Sequence, residues 1–333
     1  MLRKLLLVAA CLSFPAAALA HLCNDVFVQA RDNLAVKVDV RDGQLRIAKT
    51  ARFRVYLLNT MDREIARIAL EIRTNGKFNA RVNPSPDWKT FPKLYSASPK
   101  RIRGQKGKKE YFEVTLTRKP GVPDGKYRID LHLFNPRRKS QVFKTVDLGK
   151  AAGIFEVPKA AGIKIDGKVG AAEWGKGLLC TGFKATRRDP QNRRRKYYVN
   201  YPAPDQGRFR VAADRENLYL ALGFVGAAPQ KDVIDFYAAA NLESKPVKVS
   251  VDRAAGTASC SAGGGIECRA SSDKSTIEVK IPRKLLGVAG AKGFLANFGR
   301  TTGKGGEEVV SFWRGNQWSV ADTVQFAHFK VAE

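Results

Sequence analysis

The chain has 333 residues, with 59 Lys and Arg against 31 Asp and Glu and a formal net charge of +28. That length holds two domains of ordinary size, each with its own core, and a charge of this size bears on partners and solubility rather than on fold. After the first twenty residues no stretch approaches the roughly 18 apolar residues of a membrane-spanning helix, so the sequence offers no candidate span.

Residues 1–20 have the order of an export signal. Arg3 and Lys4 supply charge, Leu5 to Leu12 an apolar run, and Ala18-Leu19-Ala20 a small-residue cleavage site. The expectation is a secreted or periplasmic bacterial protein cut after Ala20. Val8-Ala9-Ala10-Cys11 also looks like a lipoprotein cleavage box. A cut there leaves an apolar region of about six residues, shorter than the usual run of about 7–15, so lipidation ranks second. Cleavage after Ala20 leaves Cys23, Cys180, Cys260 and Cys268. An even count in an oxidising compartment predicts disulfides, with three connectivities open. Gly263-Gly264-Gly265 can close a hairpin between Cys260 and Cys268, which favours that pair and leaves Cys23 with Cys180. Free buried thiols are the alternative.

In chain order the sequence reads as β throughout. Residues 51–58 begin with apolar–polar alternation, residues 111–117 alternate less strictly, and residues 127–133 alternate cleanly, the period of a half-buried strand. Turn signals separate them at Asp42-Gly43, Asn75-Gly76, Asp124-Gly125 and Asn135-Pro136. Short strands between turns predict a sandwich, and an immunoglobulin-like domain is placed at 21–157. The Pro120–Tyr127 segment resembles the turn before a late strand in secreted immunoglobulin-like accessory domains. Val157-Pro158-Lys159-Ala160-Ala161-Gly162 reads as the linker. A second sandwich follows at 158–333. Its strands are expected at 209–212, 218–224, 232–237, 247–252, 276–281, 294–298, 309–313 and 324–331, with one helical turn at 283–287.

Positive charge clusters at Lys100-Arg101-Ile102-Arg103, at Arg137-Arg138-Lys139 and from Arg187 to Lys196. Solvated loops, an anionic extracellular glycan or surface, and nucleic acid are the three partners such runs suit. Export and the absence of any nucleic-acid-binding module around the runs argue against nucleic acid.

One string of fragments carries more. Ile163-Lys164-Ile165-Asp166-Gly167 is followed by Trp174, then by Asn217-Leu218-Tyr219-Leu220-Ala221-Leu222, Ile277-Glu278-Val279-Lys280-Ile281-Pro282 and Asn297-Phe298-Gly299-Arg300. In that order and spacing residues 160–333 resemble the family 9 carbohydrate-binding-module (DOMON-like) superfamily of antiparallel β-sandwiches. The resemblance implies that Trp174 packs the sandwich core. It also implies a sugar held against tryptophan faces, and here the available platform is Trp313 with Trp318. Arg314, Asn316 and Gln317 stand ready to hydrogen-bond hydroxyls, and Tyr197, Tyr198 and Tyr201 could form an opposing face. The second clamping tryptophan of the family has no clear equivalent. Some relatives bind a structural calcium, whose ligands cannot be assigned here. Haem-binding relatives use Met and His, but Met61 is the one methionine after processing and lies in the other half, so haem is not expected.

Cleavage after Ala20 would expose His21, whose amine and imidazole could form a copper brace with His132 or His328. By alternation His132 reads as a surface residue, and nothing else around His21 resembles brace oxidases. No carboxylate pair sits in a recognisable hydrolytic motif, and Asp232 and Asp235 fall on opposite faces of a strand. The sequence therefore predicts an all-β, non-catalytic, exported protein that binds polysaccharide, with basic loops favouring an acidic or sulfated glycan. A cell-envelope scaffold is the second reading and a copper oxidase the third. No catalytic residue, metal ligand or oligomeric state follows from it.

Overall fold

The structure is a computed structural model that describes residues 34–40, 45–59, 65–83, 89–91, 110–134, 142–147, 154–160, 162–188, 198–204, 206–304, 307–315 and 320–332. Ten strands come from the first half: β1 (Leu34–Val38), β2 (Leu45–Ile47), β3 (Thr50–Asn59), β4 (Ile65–Arg73), β5 (Phe78–Asn83), β6 (Lys89–Phe91), β7 (Glu110–Arg118), β8 (Gly125–Tyr127), β9 (Asp130–Phe134) and β10 (Val142–Asp147). They form one sheet of order β1-β3-β7-β5, a second of order β10-β9-β4-β6, and a small β2-β8 ladder. Alternation explains the packing. Phe53, Val55 and Leu57 of β3, Phe112, Val114 and Leu116 of β7, and Leu131 and Leu133 of β9 all point into one buried cluster, while Arg52 and Arg54 point the other way. The 127–133 run is split: Tyr127 ends β8, and Asp130 begins β9. His132 stands on the opposite face of β9 from its buried neighbours and is half-buried. Asn75 and Gly76 both take positive φ, 50° and 75°, in the turn predicted there, but this turn passes the chain from one sheet to the other. Asp42-Gly43 and Asn135-Pro136 lie outside the described residues.

The second half supplies β11 (Ile154–Val157), β12 (Leu178–Cys180), β13 (Lys184–Arg188), β14 (Tyr198–Pro202), β15 (Arg208–Ala213), β16 (Asn217–Gly223) and β17 (Lys231–Ala239). After these come β18 (Val247–Asp252), β19 (Thr257–Cys260), β20 (Glu267–Ala270), β21 (Thr276–Pro282), β22 (Gly293–Lys304), β23 (Glu307–Phe312) and β24 (Ala327–Val331). The larger sheet runs β14-β13-β23-β22-β17-β18-β19, with β24 also on β22, and it faces a sheet of order β12-β15-β16-β21-β20. Every strand expected here forms. The last begins later than expected because Thr323–Gln325 wind into a 3-10 turn. Arg283–Gly287 close successive hydrogen-bonded turns, Leu286 N–H to Arg283 O at 3.2 Å and Gly287 N–H to Lys284 O at 3.1 Å. The one helix among the described residues is the short Ala171–Trp174, which no apolar period announces.

Two features were not expected. β11, which the linker at 157–162 leaves with the first half, pairs in parallel with β24, Ile154 opposite His328 and Val157 opposite Val331. The second core therefore starts before the Pro158 break. In addition, a third apolar cluster joins Ala35, Tyr56 and Leu58 of the first half to Ala239, Leu242, Leu295, Val324 and Phe326 of the second. Tyr56 O–H donates to Glu243 Oε1 at 2.6 Å, and Lys37 Nζ donates to the Phe326 carbonyl. No described helix is long and apolar enough to cross a membrane.

Candidate functional site

Of the expected tryptophan platform, Trp313 lies among the described residues, and it is not on the surface. Trp313 is only 7% exposed. Its ring lies among Phe155 at 5.0 Å, Phe329 at 5.9 Å and Phe298 at 6.2 Å between centroids, and its backbone N–H donates to Phe298 O at 2.9 Å. β23 ends at Phe312, and both Phe312 and Trp313 are buried. The guanidinium of Arg314 covers the remaining aromatic edge, 4.9 Å from the Phe155 ring centre and 4.8 Å from that of Trp313. It occupies the place expected for a sugar. Tyr201 is half-buried against the same core, and Tyr198 lies at the start of β14. Trp318, Asn316, Gln317 and Tyr197 lie outside the described residues, as do His21 and Cys23.

The fragments of the family resemblance are architectural. Glu278 on β21 is fully buried. Its Oε2 accepts the N–H groups of Asp166 at 3.0 Å and Gly167 at 2.8 Å, and its Oε1 accepts the Trp174 indole N–H at 2.7 Å. Burial pushes its carboxyl above the ordinary range, while these three donors favour the charged form. Gly167 sits at φ +85°, and a Cβ there would lie 2.7 Å from Ala270 O, so no side chain fits. Asn297 clamps the segment after β23: its Oδ1 accepts from Arg314 N at 3.1 Å, and its Nδ2 donates to Arg314 O at 3.1 Å and Val320 O at 3.0 Å.

Arg300 makes the second buried network. Its Nε and Nη2 donate to Asp232 at 2.7 and 2.8 Å, and Arg253 Nη1 donates to the same carboxylate at 3.2 Å. Arg253 also donates to Lys274 O and Gly226 O. Both guanidiniums stack on Phe224, at 4.3 and 5.0 Å. Two cations on one carboxylate are tolerable in a core because backbone carbonyls and an aromatic face share the excess charge.

Chemistry remains accessible elsewhere. Where the third cluster seats one half against the other, a groove of about 460 Å3 opens on the outer face of the larger sheet. Its lining mixes Ile154, Leu242 and Leu295 with Asp39, Glu156, His328, Lys292 and Lys330, and Leu242 and Leu295 are themselves almost fully buried. The positions follow from strand period: on β24, Phe329 and Val331 are buried while His328 and Lys330 face out. Lys330 and Glu156 stand 3.6 Å apart and are largely solvated, at 63% and 77% side-chain exposure, a weak pair that a ligand can replace. Asp39 comes from the first half, directly after β1. It also lines a second groove, of about 500 Å3, on the outer face of β3, β7 and β5, with Arg52, Arg54, Arg81, Asn83, Glu113 and Thr115. Sequence reasoning missed both grooves because each joins strands far apart in the chain. Among the described residues no three His, Cys, Asp or Glu side chains gather as a metal site.

The cysteines also differ from expectation. Cys180, Cys260 and Cys268 are free thiols. The hairpin expected between Cys260 and Cys268 does not form, because β19 pairs with β18 in the larger sheet and β20 with β21 in the smaller one. The glycine-rich segment crosses between sheets instead. Cys268 Sγ donates to Gly256 O at 3.7 Å, and Cys260 Sγ accepts from Ala262 N at 3.4 Å. Burial pushes the Cys180 thiol up to about 12, which makes it inert at neutral pH.

Compared with protein-family models and with curated proteins, the chain matches none.

Proposed function

We propose that this chain is an exported, non-catalytic binding protein for an acidic or sulfated polysaccharide. It is built from two β-sandwich domains, the second of the family 9 carbohydrate-binding-module kind, with its binding site in the groove where they meet. The observation that carries this reading is the groove of about 460 Å3 whose lining combines the apolar Ile154, Leu242 and Leu295 with Asp39, Glu156, His328, Lys292 and Lys330. A pyranose ring needs that pairing: apolar surface for its C–H faces and planar or charged groups for its hydroxyls. The two lysines of the groove are balanced by Asp39 and Glu156, so the preference for negative substituents rests on the chain's net charge of +28. Placement between two cores also fits, since ligand sites concentrate at such junctions. The family resemblance is supported by the way its fragments sit in one sandwich, with Asp166, Gly167, Trp174 and Glu278 in a single hydrogen-bonded unit. The aromatic platform at Trp313 has no part in this site.

The test is a glycan-array screen of the purified protein at low and at physiological salt. Binding to defined acidic glycans that survives physiological salt supports a built site. Binding that vanishes with salt would reduce the interaction to diffuse charge, and no binding at either salt would shift the weight to an envelope scaffold.

A further inference from the structure

The outer face of the first half carries an arrangement that the groove reading does not use. Arg52 of β3 and Arg81 of β5 both stand opposite Thr115 of β7 in the strand register. The three side chains therefore form one row across three strands, on the face away from the core. The two outer strands of such a row are about 10 Å apart, twice the usual strand spacing, within reach of two arginine side chains bending toward a common point over the threonine hydroxyl. Both arginines are exposed and make no ion pair among the described residues. In the next row Arg54 is already engaged: it meets Glu113 at 3.3 Å and Glu243 at 3.6 Å and lies 4.6 Å from the Tyr111 ring centre. The row of Thr50, Thr117 and Asn79 on the other side adds two hydroxyls and an amide. This face is a groove of about 500 Å3, and it shares Asp39 with the groove at the junction.

We infer that Arg52, Thr115 and Arg81 form an oxyanion clip for a substituent of an acidic polysaccharide chain that runs past Asp39 into the junction groove. The inference rests on the glycan reading above and names where its acidic groups go. A guanidinium fork matches the oxygens of a sulfate ester or carboxylate, and two forks flanking a hydroxyl donor give the clip direction as well as charge. Asp39 and Glu113 share the Arg54 row, one row nearer the junction than the clip, and Glu113 is already paired with Arg54 at 3.3 Å. Asp39 disfavours an anionic group there and accepts hydrogen bonds from hydroxyls instead. The ligand is thus an extended saccharide with acidic groups spaced at both ends of the path and hydroxyls between. A uniformly charged polymer fits this pattern poorly.

The experiment is calorimetric titration of the purified protein at physiological salt with four probes: a heparin-derived hexasaccharide, a hexamer of galacturonate, a neutral hexasaccharide, and a single-stranded DNA hexamer. Arg52→Gln/Arg81→Gln is compared with Lys168→Gln/Lys284→Gln, an equal charge change at exposed positions that line neither groove, and with His328→Ala/Lys330→Ala in the junction. The expected result is about tenfold weaker binding of one acidic hexamer in the arginine variant, the size of one lost charge-assisted contact, with the control unchanged. Which acidic hexamer responds distinguishes sulfate from carboxylate. Equal affinity of the arginine variant and the parent for both acidic hexamers overturns the clip, and the glycan reading survives if the junction variant still loses affinity. Parallel losses in the arginine and control variants, or a larger loss for DNA than for either hexamer, overturn the clip as diffuse charge. No binding of any saccharide to the parent overturns both.

Discussion

Glu278 Oε1 accepts the indole N–H of Trp174 across 2.7 Å, from 104 positions away in the chain. The same carboxylate holds the N–H groups of the Asp166-Gly167 turn. One buried side chain thus fastens the entry turn and the short Ala171–Trp174 helix to an interior strand. Glu278→Gln keeps the shape but offers one acceptor and one donor where three donors converge. At least one N–H is then left unpaired in the core, at a cost of about 2–3 kcal/mol. Urea unfolding should show a lower midpoint with an unchanged slope. An unchanged midpoint would mean that the turn and Trp174 are held by packing alone.

Asp232→Asn should be more severe. Asp232 is fully buried, and both partners are nearly so, Arg253 at 1% and Arg300 at 4% side-chain exposure. Removing the carboxylate's charge leaves two guanidiniums in the core with backbone carbonyls and the Phe224 ring. Breaking a buried pair from one side costs about 3–5 kcal/mol. Thermal and urea unfolding of the variant check this. A loss under about 1 kcal/mol would show that water reaches the arginines.

The contact between the halves should respond to pH through Lys37. Burial, reinforced by the charge of Arg314, pushes the Lys37 amine from the ordinary lysine value of 10.5 down to about 7. Between pH 7 and 10.5 the unfolded chain keeps this proton and the folded protein does not, so stability rises with pH across that window. Below about pH 7 both states are charged, and the burial penalty acts in full. Lys37→Met, which carries no charge, should therefore gain most over the parent at pH 6 and lose that advantage progressively toward pH 10. Urea unfolding at pH 6, 7.5 and 9 measures the difference, and a constant gap would contradict it.

How much of this was legible is clearest at single residues. The alternation in 111–117, though not strict, marks a half-buried strand because burial on one face leaves a period of two, and Phe112, Val114 and Leu116 do lie inside. The same rule held a signal that was passed over. Val55-Tyr56-Leu57-Leu58 breaks the alternation with four apolar residues in a row, the pattern of a strand covered on both faces. Tyr56 and Leu58 do lie under the second half. The family resemblance offers Trp313 as a platform beside Arg314, Asn316 and Gln317, whereas its ring is buried and Arg314 closes over it. The pairing of Asp232 with Arg300, 68 residues apart, and the groove shared by Asp39 and His328 depend on how distant strands are brought together. No local pattern records that.

The central claim is that the junction groove holds a saccharide. It is tested most directly by calorimetric titration, at physiological salt, of the best acidic glycan from the array into the parent and into His328→Ala/Lys330→Ala. Both side chains project from the outward face of β24, so the fold should survive and the melting temperature should stay put. The account predicts affinity weaker by about tenfold or more, as for loss of one or two polar contacts. Equal affinity in the two proteins would place the binding site elsewhere.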